Sequence, residues 1–126
     1  MSINTNNNGV ELQKLIELFN FIENNDCAIP GEKLYEENLQ RLKDFFCADV
    51  NETIEMLKKL DFNGDARVII LYSPHIVKGF ESEDDKIKFI HALEDLKKNY
   101  ETNPEVRDLF DRSIFNCRIA SDIEFE

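Results

Sequence analysis

The chain has 126 residues, 42% of them hydrophobic and ten of them Phe, which is material for one core and one independently folding domain. Against 15 Lys and Arg it carries 26 Asp and Glu, a net charge of -11, and that surplus repels nucleic acid phosphates and anionic membrane surfaces. The expected partner is therefore a basic protein, with no direct nucleic acid or membrane contact, and the bland alternative is that the surplus serves only solubility.

The opening MSINTNNNGV has neither a basic n-region nor an apolar h-region, and VIIL at 68–71 is too short to span a bilayer, so the expected location is cytoplasmic. Residues 1–9 are expected to form a mobile polar segment. Leu12, Leu15, Ile16, Phe19 and Ile22 then recur at helical spacing, which predicts a first helix over 10–24. Asn24, Asn25 and Asp26 end it, and Pro30 with Gly31 marks a connection. A second stripe follows at Tyr35, Leu39, Leu42, Phe45 and Phe46. Asp49 with Glu52 makes a capping box for a third helix through Leu60, its inner face Thr53, Ile54, Leu57 and Leu60, and Asn63-Gly64 stops it.

ARVIILYSPHIVKGF at 66–80 is ambiguous, because its β-branched residues suit a buried strand while its period suits a buried helix. Two short helices are the preferred reading, with Ser73 as N-cap, Pro74 at the first helical position and Gly79 at the far end. The alternative is a minor strand pair between 66–72 and 118–126. Ser82 caps the next helix, with Glu83, Asp84 and Asp85 in its positive first turn, Lys97 and Lys98 in its last, and a core stripe of Phe89, Ile90, Leu93, Leu96 and Tyr100. Asn103-Pro104-Glu105 starts the final helix, which continues through Val106, Leu109, Phe110, Ile114 and Cys117. The expected fold is mainly α, a compact single-domain bundle of five or more helices over residues 1–126.

Catalytic signatures fail one by one. Cys27, Cys47 and Cys117 are odd in number and widely spaced, which reads as reduced core residues that need no disulfide and make no zinc site. His91 has Asp95 four residues on, but the other histidine, His75, lies on an unrelated segment, so a metal or acid/base site lacks ligands. DFNGD at 61–65 starts like a calcium loop, yet Gly64 falls in the fourth place and Tyr72 stands where the closing Glu belongs. The four glycines form no phosphate cradle, and neither Ser73 nor Ser82 has a plausible base and acid. The expectation is a non-enzyme without cofactor or metal.

YEENLQRLKDFF at 35–46 points elsewhere. Tyr35, Glu37, Asn38, Leu39, Leu42 and Asp44 fall in the spacing Y-x-E-N-L-x-x-L-x-D, which resembles the inhibitory helix of the barstar family of intracellular ribonuclease inhibitors. That resemblance implies that Tyr35 and Asp44 face a ribonuclease's catalytic groove. Gln40 stands where that family has a second key aspartate, Lys43 replaces an aromatic, and a helix opens this chain where a strand opens that fold. In general character the chain resembles bacterial toxin-immunity proteins of the colicin and contact-dependent growth-inhibition types, used in bacterial competition. The resemblance implies a toxin inhibitor that neutralises a cognate nuclease by covering its basic surface. Its expected partner-binding residues are Tyr35, Glu36, Glu37 and Asp44 on one helix and Glu83, Asp84 and Asp85 on another. A phage-type nucleic acid mimic would use the same charge logic, whereas a helical adaptor or regulator would present an apolar groove.

Overall fold

Each apolar stripe becomes the inner side of a helix. A computed structural model of the protein describes residues 5–25 and 29–122, with side chains from Gly9 onward. Its elements are α1 (Thr5–Asn24), α2 (Lys33–Phe46), α3 (Val50–Lys58), α4 (Arg67–Leu71), α5 (Ser73–Val77), α6 (Glu83–Lys97), a single 3-10 turn (Lys98–Tyr100) and α7 (Pro104–Ser121). Among the described residues there is no strand, and the architecture is the mainly α bundle of more than five helices.

Three helix starts follow from their caps. Asp49 Oδ1 accepts from the Asn51 N–H at 2.9 Å and the Glu52 N–H at 3.3 Å, Ser82 Oγ from the Asp85 N–H at 3.1 Å, and Asn103 Oδ1 from the Val106 N–H at 3.4 Å. Ser73 does not act as the expected cap. It is already the first residue of α5, and its hydroxyl turns inward to donate to the Ile70 carbonyl at 2.7 Å. The first helix also starts earlier than expected, at Thr5, so residues 5–9 are helical, while residues 1–4 lie outside the described residues.

The strand alternative fails at both ends. Val68, Ile69 and Ile70 are buried within the one-turn helix α4, and residues up to Ser121 belong to α7; residues 123–126 lie outside the described residues. Burial by neighbouring helices outweighs the β preference of these branched side chains, which is weak beside packing.

α7 is the central element, packed against α4, α5 and α6, while α1 lies on α4, α2 on α5 and α3 on α6. Phe19, Phe46, Phe62, Phe89 and Phe110 are fully enclosed, so five of the ten Phe side chains fill the space between these layers. Phe62 and Phe110 meet edge to face with centroids 5.6 Å apart, beside Tyr100. The Tyr100 hydroxyl accepts from the Phe62 N–H at 3.1 Å and donates to the Leu60 carbonyl at 3.3 Å, which ties the connection after α3 to the end of α6.

Candidate partner-binding edge

α2 separates its residues by side. Tyr35, Asn38, Leu39, Leu42 and Phe46 are buried, and 3.6 residues per turn then force Glu37, Gln40 and Asp44 to the opposite, exposed side. The exposed groups are held in local contacts. Glu36 accepts from the Gly31 N–H at 3.3 Å, where a φ of 90° suits glycine, Lys33 lies 3.9 Å from Glu37, and Gln40 Nε2 donates to Asp44 Oδ1 at 2.9 Å. A held carboxylate loses little freedom when a partner binds it.

Tyr35 is buried at 8% exposure, on the same side of α2 as Leu39 and Leu42 and away from the exposed Glu37 and Asp44. Its phenol lies beside Glu23 and Tyr72; burial first, then the charges of Glu23 and Glu36, push its pKa up. The Tyr72 hydroxyl donates to Glu23, so Tyr35 belongs to a polar seam that joins α2 to α1 and to the α4–α5 joint.

The end of α2 is pressed onto the corner between α5 and α6. Cys47 Sγ donates to the Ile76 carbonyl at 3.1 Å, and a Cβ placed on Gly79 would meet that Sγ at 2.5 Å, so only glycine permits the approach. Gln40, Lys43, Asp44, Cys47, Ala48 and Gly79 line a shallow depression of about 290 Å³ there. Ser82 follows Gly79 by three residues and so lies within about 11 Å of it by chain reach. The acidic start of α6 therefore begins within a few residues of the depression that Asp44 lines, at the α5–α6 corner. Glu36 and Glu37 sit towards the other end of α2, about 10 Å from Asp44 along the axis.

At that corner Glu81, Glu83 and Asp84 are exposed and Asp85 is half-buried. The ion pairs described are Lys33–Glu37, Lys58–Glu55, Arg67–Glu105, Lys97–Asp111, Lys98–Asp95 and Arg118–Glu94, and none of them uses Glu81, Glu83, Asp84, Asp85 or Asp44. Glu81 was missing from the sequence expectation. Its position one residue before the Ser82 cap was the available signal, since it adds a fourth carboxylate within five residues.

Other groups are poorly set for chemistry. Burial pushes the Cys47 and Cys117 thiols up to about 11, so both stay protonated at neutral pH; Cys27 lies outside the described residues. Cys117 donates to Ser73 Oγ at 3.4 Å within the core. His91 is exposed on α6, and among the described residues no group of three or more His, Cys, Asp or Glu is placed to hold a metal ion. Among the described residues no helix is long and apolar enough to cross a membrane. A second depression of about 450 Å³ lies between α1, α4 and α7, with Val68, Leu71 and Leu109 among its lining and Arg67 bridged to Glu105 at 3.4 Å. No protein-family model, curated protein or solved structure matches this chain.

Proposed function

We propose that the protein is an immunity-type inhibitor that binds a basic partner, a nuclease-type bacterial toxin, and covers its phosphate-handling surface. The observation that carries this reading is a set of five carboxylates outside every described ion pair: Asp44, which lines a depression with Gly79, and Glu81, Glu83, Asp84 and Asp85, which follow Gly79 by two to six residues around the Ser82 cap. A site that holds phosphates with Arg and Lys takes such carboxylates in their place. Complementary charge also speeds capture, as an inhibitor of a toxic enzyme requires. The barstar-like spacing supports the reading through Asp44 and Glu37 only, because Tyr35 faces the core. A nucleic acid mimic directed at a defence nuclease would use the same carboxylates, and the identity of the partner separates the two.

The test measures affinity for the candidate nuclease across salt and across variants. Asp44→Ala is expected to weaken binding by about 2 kcal/mol, and reversal of Glu83 and Asp84 to Lys by more, with helix content unchanged. Affinity should fall steeply with added salt. Binding indifferent to salt and to both sets of variants would refute inhibition by charge and favour an adaptor that uses apolar contacts.

A further inference from the structure

The groove between α3 and α6 plays no part in the reading above, and its chemistry is of a different kind. Ile54 of α3 and Ala92 and Leu96 of α6 form the apolar part of a depression of about 390 Å³, within the range of small-molecule sites, and the exposed Lys58, Lys88 and His91 also line it. Lys88, Ala92 and Leu96 follow one another at intervals of four residues, and His91 comes three after Lys88. The two nitrogen-bearing side chains of α6 are therefore neighbours at one end of its apolar row.

The charges around this depression are unequally engaged. Lys58 pairs with Glu55 at 3.2 Å, and Asp95, also in the lining, pairs with Lys98 at 3.6 Å. Lys88 and the His91 ring have no hydrogen-bond or ion-pair partner among the described residues, and Asp84 and Asp85, one turn before Lys88, do not pair with it. Setting the matched pairs aside leaves an ammonium and an imidazole beside an apolar floor, both of them N–H donors. A cation finds no unpaired carboxylate in the lining, because Asp95 is held by Lys98. Polyanions and anionic bilayers are repelled at long range by the net charge of -11, whereas a compact monoanion responds mainly to the ammonium within a few ångströms of it. The volume, too small for a helix of a partner protein, suits a fused ring or a short chain.

We propose that the α3–α6 depression binds a small amphipathic monoanion, an aryl or short alkyl carboxylate or sulfonate, with its head on Lys88 and His91 and its body on Ile54, Ala92 and Leu96. The body supplies affinity by leaving water, and the head fixes the orientation. Because Lys88 and His91 are exposed, solvent and salt screen the head's contribution, and the dissociation constant is on the order of 0.1–1 mM. The site requires nothing of the carboxylates assigned to the toxin and stands or falls apart from them.

Naphthalenesulfonate titrated into the full chain at about 50 mM salt, with backbone amide chemical shifts as the readout, tests it. Amides around Ile54 and along His91 to Leu96 are expected to shift and to saturate by about 10 mM probe. Naphthylmethylammonium, which has the same body and the opposite charge, and inorganic sulfate, which has no body, should give no saturable change there. Lys88→Glu should raise the dissociation constant about fivefold or more and His91→Ala about twofold, with circular dichroism spectra unchanged because both side chains are exposed. The proposal is overturned by the absence of a saturable shift by about 10 mM, by shifts centred elsewhere, or by equal binding of the cationic probe or of sulfate alone. A Lys88→Glu or His91→Ala chain that binds the probe as wild type does would overturn it as well.

Discussion

His75 lies half-buried with its ring centroid 5.7 Å from that of Tyr72, and its protonation is opposed from several sides. Burial, then the charges of Lys78 and Lys43, hold its pKa below the ordinary 6.5, while Glu36 pulls the other way. A pKa lower in the folded than in the unfolded chain means that the unfolded state binds more protons in this window. The neutral imidazole therefore contributes stability that is present above about pH 6.5 and is lost as pH falls through the folded value. The melting temperature of the wild-type chain should drop between about pH 7.5 and about pH 5 by more than that of His75→Gln, which cannot titrate. Parallel melting curves for the two chains across that range check the assignment, and equal slopes would contradict it. At this scale the sequence was least informative, because nothing in the spacing of His75 states what surrounds its ring.

Helices place residues through their contacts, and the Cys47–Gly79 approach is one such contact, in the depression that Asp44 lines. A methyl group on Gly79 would stand 2.5 Å from Cys47 Sγ and 3.3 Å from both Cys47 Cβ and the Ile76 carbonyl. The first of these is well inside normal contact, so either α2 moves away from the α5–α6 corner or Cys47 leaves its rotamer. Gly79→Ala is expected to destabilise the fold by about 1–3 kcal/mol, the usual cost of overpacking. Cys47→Ala in the same chain should recover part of that loss, since it removes the sulfur but leaves the 3.3 Å contacts. Urea unfolding of the single and double variants measures both effects, and a Gly79→Ala chain as stable as wild type would mean that the two elements are not pressed together. Gly79 was legible in the sequence only as the end of a short helix. That it also receives Cys47, 32 residues earlier in the chain, is a property of how the elements pack.

For the molecule as a whole, the charge of -11 should be a net burden on the folded state. Most of the residues in the six ion pairs among the described residues are substantially exposed, and exposed pairs contribute between about 0 and 1 kcal/mol each. Raising NaCl from about 20 mM to about 300 mM should therefore raise the melting temperature, because screening relieves more repulsion than it weakens attraction. A fall over that range would show that the ion pairs dominate instead. The bundle's helices were set by the sequence itself: the caps Asp49, Ser82 and Asn103 and the apolar stripes act within a turn or two, and the chain carries them wherever it goes. Periodicity gives a helix its apolar side but not its neighbours. Only tertiary structure decided that Val68, Ile69 and Ile70 are buried by other helices and so need no strand partner, and that the Tyr35 phenol meets Glu23 and Tyr72. It likewise decided that Asp44 lines a depression with Gly79, and that Phe115 and Ile119 remain uncovered while Ile114 and Cys117 are enclosed. Those outcomes depend on which arc of a helix another helix covers, and that is fixed by contacts between residues tens of positions apart, which no local pattern records.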